Sequence, residues 1–146
     1  MSERIELVRR EFLVEAALDQ AWQHLARVEA WPSWAHHIRS VKLVPAGPLT
    51  GQSEGRFHLR GGVRSAFQVT TFDPPRRWLW VGKLATVRVH YDHLFEPFDE
   101  NRTRLTWIVA ADGPASRTLG RLFAAIYGRN LDRAIPNLQA EYRALG

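Results

Sequence analysis

Few side chains in this chain are suited to chemistry, and their types narrow what that chemistry can be. Cysteine is absent, so there is no disulfide framework, no thiolate nucleophile and no sulfur-ligated zinc. The histidines do not converge. His36 and His37 are neighbours, which diverge by about 100° on a helix and oppose each other on a strand. His90 and His93, three apart on a strand-like run, also face opposite ways. No H-x-x-x-H or H-x-H pattern accompanied by a carboxylate occurs, so neither a metal nor any other cofactor is expected. Ser33, Ser40, Ser53, Ser65 and Ser116 lack a G-x-S-x-G setting, which leaves no covalent nucleophile in view. What remains is acid–base work in an apolar space. His93 shares a strand face with Tyr91, and an imidazole in a nonpolar pocket can have its pKa moved. The alternative for His93 is an ordinary hydrogen-bonded core histidine. Asn130, in the middle of an apolar helix side, is the candidate partner across the space. A buried amide must find hydrogen bonds either in the protein or on a ligand. The candidate catalytic set is therefore His93, Tyr91 and Asn130.

The second signal is aromatic. Residues 29–38 read E-A-W-P-S-W-A-H-H-I, with Trp31 and Trp34 flanking Pro32. Large rigid rings at a pocket mouth offer contact area with little rotamer entropy to lose, which suits an apolar or planar ligand. Trp31 reads as a plug of the core and Trp34 as the ring nearer a ligand, with Trp22 in the core proper. The inward positions of the strand-like and helical segments add Phe57, Phe67, Trp80, Tyr91, Trp107, Phe123 and Tyr127 to the expected lining.

The elements that must position these residues follow from hydrophobic period. Arg4 to Glu15 alternates, with Val8, Arg10, Phe12 and Val14 on one side, and predicts a strand. From Leu18 the spacing changes to Leu18, Trp22, Leu25 and Val28, a helical stripe with Asp19 in its first turn. Pro32 ends that helix, leaving at most one further short turn through His37. Turn residues then recur at Pro45 to Gly55, Gly61-Gly62, Asp73-Pro74-Pro75 and Pro97 to Asn101. Between them lie strand-length runs whose odd-numbered residues point inward: Phe57 and Leu59; Val63, Ser65, Phe67, Val69 and Thr71; Val87 to Phe95; Leu105 to Ala111. Arg77 to Leu84 is apolar on both faces and its register is open. Gly113-Pro114 closes the strands, and a helix is predicted from about Ser116 to Leu145. Its Arg117, Arg121, Arg129, Arg133 and Arg143 fall in one arc of about 160°. Leu119, Phe123, Ile126, Tyr127, Leu131, Ala134, Leu138, Tyr142 and Leu145 occupy the opposite arc, and Pro136 is expected to kink the helix.

With 146 residues, one domain over 1–146 that buries roughly two thirds of its unfolded surface is expected. No run approaches the ~18 apolar residues of a membrane span, and M-S-E-R-I-E lacks a signal-peptide order, so a soluble, cytoplasmic chain is expected. The net charge of +5 is carried by arginine, since only Lys42 and Lys83 are lysines.

The order and motifs resemble the START-like, or SRPBCC, superfamily in its polyketide cyclase/dehydratase branch. The residues that carry the resemblance are Ala17-Leu18-Asp19-Gln20-Ala21-Trp22, Trp31-Pro32-Ser33-Trp34, His93-Leu94-Phe95-Glu96-Pro97 with Thr103-Arg104-Leu105, and the terminal amphipathic helix. The resemblance implies an α+β helix-grip fold: a curved antiparallel sheet of about seven strands wrapped around a long C-terminal helix, with one or two short helices after the first strand. It also implies binding of a hydrophobic or aromatic small molecule (lipid, quinone or polyketide-like) between sheet and helix, with Trp31 and Trp34 beside the cavity. A polyketide aromatase/cyclase or dehydratase is the alternative, one that would work without metal or covalent nucleophile. The case for chemistry is thin, because the inward polar set is short and the arginines except Arg10 face outward. Nonspecific nucleic-acid binding through the arginine surface is a third, weaker alternative, since no recognition motif or exposed stacking ring accompanies those charges.

Overall fold

The computed structural model describes residues 4–146. Met1-Ser2-Glu3, part of the start read against a signal peptide, lies outside the described residues. The alternating segments become β1 (Ile5–Val14), β3 (Glu54–Leu59), β4 (Arg64–Asp73), β5 (Arg77–Leu84), β6 (Val87–Pro97) and β7 (Thr103–Asp112), and β2 (Ile38–Val44) joins them. They form a seven-stranded sheet in the order β1-β7-β6-β5-β4-β3-β2, antiparallel at every pairing. Two helical segments follow β1, α1 (Leu18–Leu25) and a 3₁₀ helix (Val28–Ser33), and the chain ends in the 27-residue α2 (Leu119–Leu145). This is the helix-grip arrangement, with α2 held against one face of the sheet.

The inner face is where the alternation placed it for most strands. Phe67, Val69, Val87, Val89, His93, Phe95, Leu105, Trp107, Val109 and Ala111 are buried. Several local readings change. Val63 is 58% exposed, because it ends the Gly61-Gly62 turn, where both glycines have positive φ and Leu59 N–H bonds to Val63 O. A bulge between Val69 and Thr71 shifts the parity of β4, so Thr71 and Phe72 are both half-buried. In β5 the even residues point inward: Trp78 is paired with His93 and Trp80 with Tyr91. A second bulge, between Ile38 and Ser40, breaks the alternation of β2 into buried Ile38, Val41 and Leu43.

The helices differ from expectation for backbone reasons. The Leu18 helix ends at Leu25 and a 3₁₀ segment carries Pro32 inside it. Pro32 has no N–H to donate, and past it the turn is closed by the N–H groups of Trp34 and Ala35, which both reach Trp31 O. The last helix starts at Leu119 and not Ser116, because Gly113 (φ 105) and Ala115 (φ 67) hold the preceding segment in turns. It runs through Pro136 to Leu145. Of its predicted apolar arc, Leu131, Ala134, Leu138 and Tyr142 are buried, Phe123 and Tyr127 are half-buried, and Leu119, Ile126 and Leu145 are exposed.

Those burial classes reflect an asymmetry in how α2 is fastened. From Asp132 onward its side chains bond repeatedly to the body. Arg10 Nε donates to Asp132 Oδ1 (2.7 Å), Gln139 Nε2 to Leu13 O (3.0 Å), Asn137 Nδ2 to Trp34 O (3.2 Å) and Tyr142 OH to Ala21 O (2.7 Å). Glu141 accepts from His24 Nε2 (3.0 Å) and Ser33 Oγ (2.5 Å). Between Leu119 and Leu131 no side-chain hydrogen bond ties the helix to the sheet among the described residues. There the contact is apolar: Gly120 lies against Leu7, and Tyr91 meets Phe123 and Tyr127. Arg10, the arginine expected to face inward, is half-exposed and spent on Asp132.

Candidate functional site

His93 is enclosed by indoles. Its strand neighbours are Trp78 on β5 and Trp107 on β7, so the sheet register alone places one tryptophan on each side of it. The Trp78 ring stacks on the imidazole with centroids 4.6 Å apart, and Trp80 meets it edge-on at 4.8 Å. Trp31 lies at 6.0 Å and Trp107 at 6.3 Å. His93 is 5% exposed, and burial pushes its pKa down to about 4, against a smaller opposing pull from Asp92. The imidazole is therefore neutral at pH 7. Its Nδ1–H points to Trp78 O at 3.4 Å, which leaves Nε2 as the lone-pair side of the ring. The indole N–H groups of Trp78 and Trp107 are buried without a hydrogen-bond partner.

Trp31 and Trp34 pack together, centroids 5.2 Å apart. Trp31 donates its Nε1–H to Leu25 O at 2.8 Å, which fixes the ring as a plug between the 3₁₀ helix and the sheet. Trp34, expected near the mouth, is 3% exposed and sits against Trp107 at 5.8 Å. It lies inside because the well-fastened half of α2 closes over it, with Asn137 bonded to its carbonyl. Phe67 and Trp80 pack at 4.2 Å with Phe57 beside both.

The outer layer of the site is different. Tyr91 from the sheet faces Tyr127 at 5.6 Å and Phe123 at 6.4 Å, and the latter two rings stack at 5.2 Å. All three are half-buried. Desolvation nevertheless dominates both phenols and raises their pKa values, so each stays protonated at neutral pH. The three rings form a half-buried aromatic cluster between β6 and the half of α2 that no side-chain hydrogen bond ties to the sheet among the described residues. Asn130 is half-buried nearby, and no hydrogen bond joins it to His93.

The other candidates fall elsewhere. His90 is on the opposite sheet face, with its Nε2 bonded to Asp112 Oδ2 at 2.6 Å. His36 is exposed and bonds Ser33 O, while burial followed by the neighbouring His36 lowers the pKa of half-buried His37. Among the described residues no three of His, Asp and Glu gather around a point, and no helix is long and apolar enough to cross a membrane. Two open surface concavities, of about 310 Å³ at the β5–β6 turn and about 450 Å³ over Arg9, Arg76 and Arg77, lie away from these rings. Sequence reasoning missed Trp78 as a site residue, because a strand apolar on both faces hides which of its side chains points inward.

Comparison with known proteins agrees with this fold. The family model described as polyketide cyclase/dehydrase and lipid transport matches residues 7–143. No match was found among curated proteins. Among solved structures, a START superfamily protein from Mycobacterium smegmatis aligns with a TM-score of 0.74 at 14% identity, over 97% of this chain and 99% of that one. The Zhui aromatase/cyclase from Streptomyces sp. R1128 aligns with a TM-score of 0.71 at 17% identity, over 98% and 94% of the two chains. Protein jhp0584 of Helicobacter pylori aligns at 0.74 and 16% identity, over 96% and 88%. At these identities the likeness is one of fold.

Proposed function

The chain belongs to the polyketide cyclase/dehydrase and lipid transport family, and on that premise we propose that it binds a neutral, planar hydrophobic molecule in a crevice that opens between the sheet and the first half of α2 when the guest enters. The observation that carries this reading is the Tyr91–Phe123–Tyr127 cluster, which keeps accessible surface directly over an indole-lined interior. An aromatic guest gains area against Phe57, Trp80 and Tyr91 at little entropic cost to the rigid rings. A charged guest is disfavoured, because the one inward arginine is already paired and the interior offers only neutral groups. The polar points are His93 Nε2 as acceptor and the unpartnered indole N–H groups and the phenols as donors.

Binding is favoured over cyclisation or dehydration by the state of the histidine. A base with a pKa near 4 takes a proton poorly at pH 7, and no carboxylate bonds to it. Support for the aromatase/cyclase alternative is the likeness of fold. The test is titration with a naphthoquinone such as menadione, read by tryptophan emission. Saturable one-to-one quenching that is weakened about tenfold or more by Tyr127→Ala is expected. Quenching that rises linearly with quinone, as for free tryptophan in solution, overturns the reading.

A further inference from the structure

The outward side of α2 carries a feature that ligand binding does not use. Leu122 and Ile126 are 64% and 60% exposed, and Leu119 is also in solvent. At 3.6 residues per turn the three fall within about 60° of one another, so they form one apolar stripe along the first two turns of the helix. Phe123 lies about 40° beyond Leu119 on the same helical projection, which makes the stripe continuous with the crevice mouth. A soluble domain has no packing reason to line up three large aliphatic side chains in water on its least fastened element.

The charges around the stripe say what it faces. Arg117, Arg121 and Arg129 are all exposed, and none is in an ion pair among the described residues. Arg129 and Arg133 continue the line of the stripe along the helix, and Arg121 lies about 100° round the helix from Leu122. Segment 113–131 contains no Asp or Glu. The acidic residues of α2, Asp132 and Glu141, are turned to Arg10 and to His24 and Ser33. Apolar side chains next to uncompensated arginines complement a surface that is anionic outside and apolar just beneath. Nucleic acid would satisfy the arginines and leave the leucines in water.

We propose that the outer face of residues 117–129 docks on an anionic lipid bilayer, with Leu119, Leu122 and Ile126 entering the headgroup boundary and the arginines contacting phosphates. Docking places the crevice mouth against the membrane, so an apolar guest can pass between bilayer and protein without crossing water. The docking claim stands whether or not the crevice holds a ligand.

The test is co-sedimentation of the full chain with phosphatidylcholine vesicles, with and without 30% phosphatidylglycerol, at low and high salt. Binding to the anionic vesicles only, released by salt, is expected. Leu122→Ser with Ile126→Ser, substitutions in solvent that leave the melting temperature unchanged, should reduce partitioning by about tenfold or more. Arg121→Gln with Arg129→Gln should reduce it by about 25-fold, about fivefold per arginine. No binding to anionic vesicles overturns the proposal. So does binding that depends on the arginines but not on Leu122 and Ile126, with equal retention of DNA, which marks a general polyanion surface. A dimer in light scattering that Leu122→Ser with Ile126→Ser dissolves assigns the stripe to a second copy and also overturns it. Failure of the quinone titration leaves these outcomes unaffected.

Discussion

Replacing His93 by leucine removes one titrating group from the interior and should flatten the dependence of stability on acid. The folded pKa of His93 is about 4, and the unfolded value is about 6.5. Between these values the unfolded chain binds a proton that the folded protein does not, so stability rises with pH across that window. In the other direction, the contribution of the neutral histidine is intact above pH ~6.5 and is lost as pH falls through ~4. The full loss is about 3 kcal/mol, from 2.5 pKa units at 1.36 kcal/mol each, and about 2 kcal/mol of it has been lost by pH 5. Urea denaturation at pH 7.5 and pH 5 measures the difference. The wild-type protein should lose about 2 kcal/mol more than His93→Leu over that interval. His37, also lowered by burial, titrates in both proteins and cancels in the comparison. If both proteins lose the same stability, or if the His93 ring proton shifts in NMR move between pH 8 and pH 6, then His93 is not the buried neutral group described here.

Four further outcomes are expected. Tyr142→Phe deletes the phenol bond to Ala21 O inside the junction of α1 and α2 and should cost about 0.5–1.5 kcal/mol in chemical denaturation, the net worth of one hydrogen bond, because that carbonyl keeps its place in the α1 helix ladder. Gly55→Ala should lower the melting temperature, since a Cβ there would fall on the Phe67 ring and press on Leu43 Cδ2 at 3.0 Å. Trp107→Ala should cost about 3–5 kcal/mol by opening a cavity between Phe12, Trp34 and His93. Trp34→Ala should cost a similar ~3 kcal/mol or more, because the ring is 3% exposed; a variant as stable as wild type would return Trp34 to the mouth of the site.

Much of the architecture was legible because it rests on period. Strands β3, β6 and β7 alternate cleanly, the turns between them carry glycine, proline or aspartate, and the last helix separates arginine from apolar residues, so the elements and their inward faces could be read one by one. What failed locally failed where the backbone departs from a regular repeat. The bulges in β2 and β4 shift parity in mid-strand, and positive φ at Gly113 and Ala115 delays α2 by three residues. β5 carries apolar side chains on both faces, and only its pairing with β6 turned Trp78 and Trp80 inward.

The site divides the same way. That aromatic rings and one histidine would meet under the helix followed from their strand faces, and the lack of cysteine and of convergent histidine spacing bounded the chemistry before any fold was known. The depth of each ring did not follow. In sequence Trp31 reads as a plug and Trp34 as the ring nearer a ligand, yet Trp34 is sealed by the half of α2 that carries Asp132, Asn137, Gln139, Glu141 and Tyr142, while Tyr91 and Tyr127 stay accessible beneath the half that carries none of them. Ile126 belongs to the apolar arc by period and still ends in solvent. A helical repeat tells which residues share a side, but the curvature of the sheet and the few long-range hydrogen bonds decide how much of that side is covered. Those bonds join residues more than a hundred positions apart, and only folding brings them together.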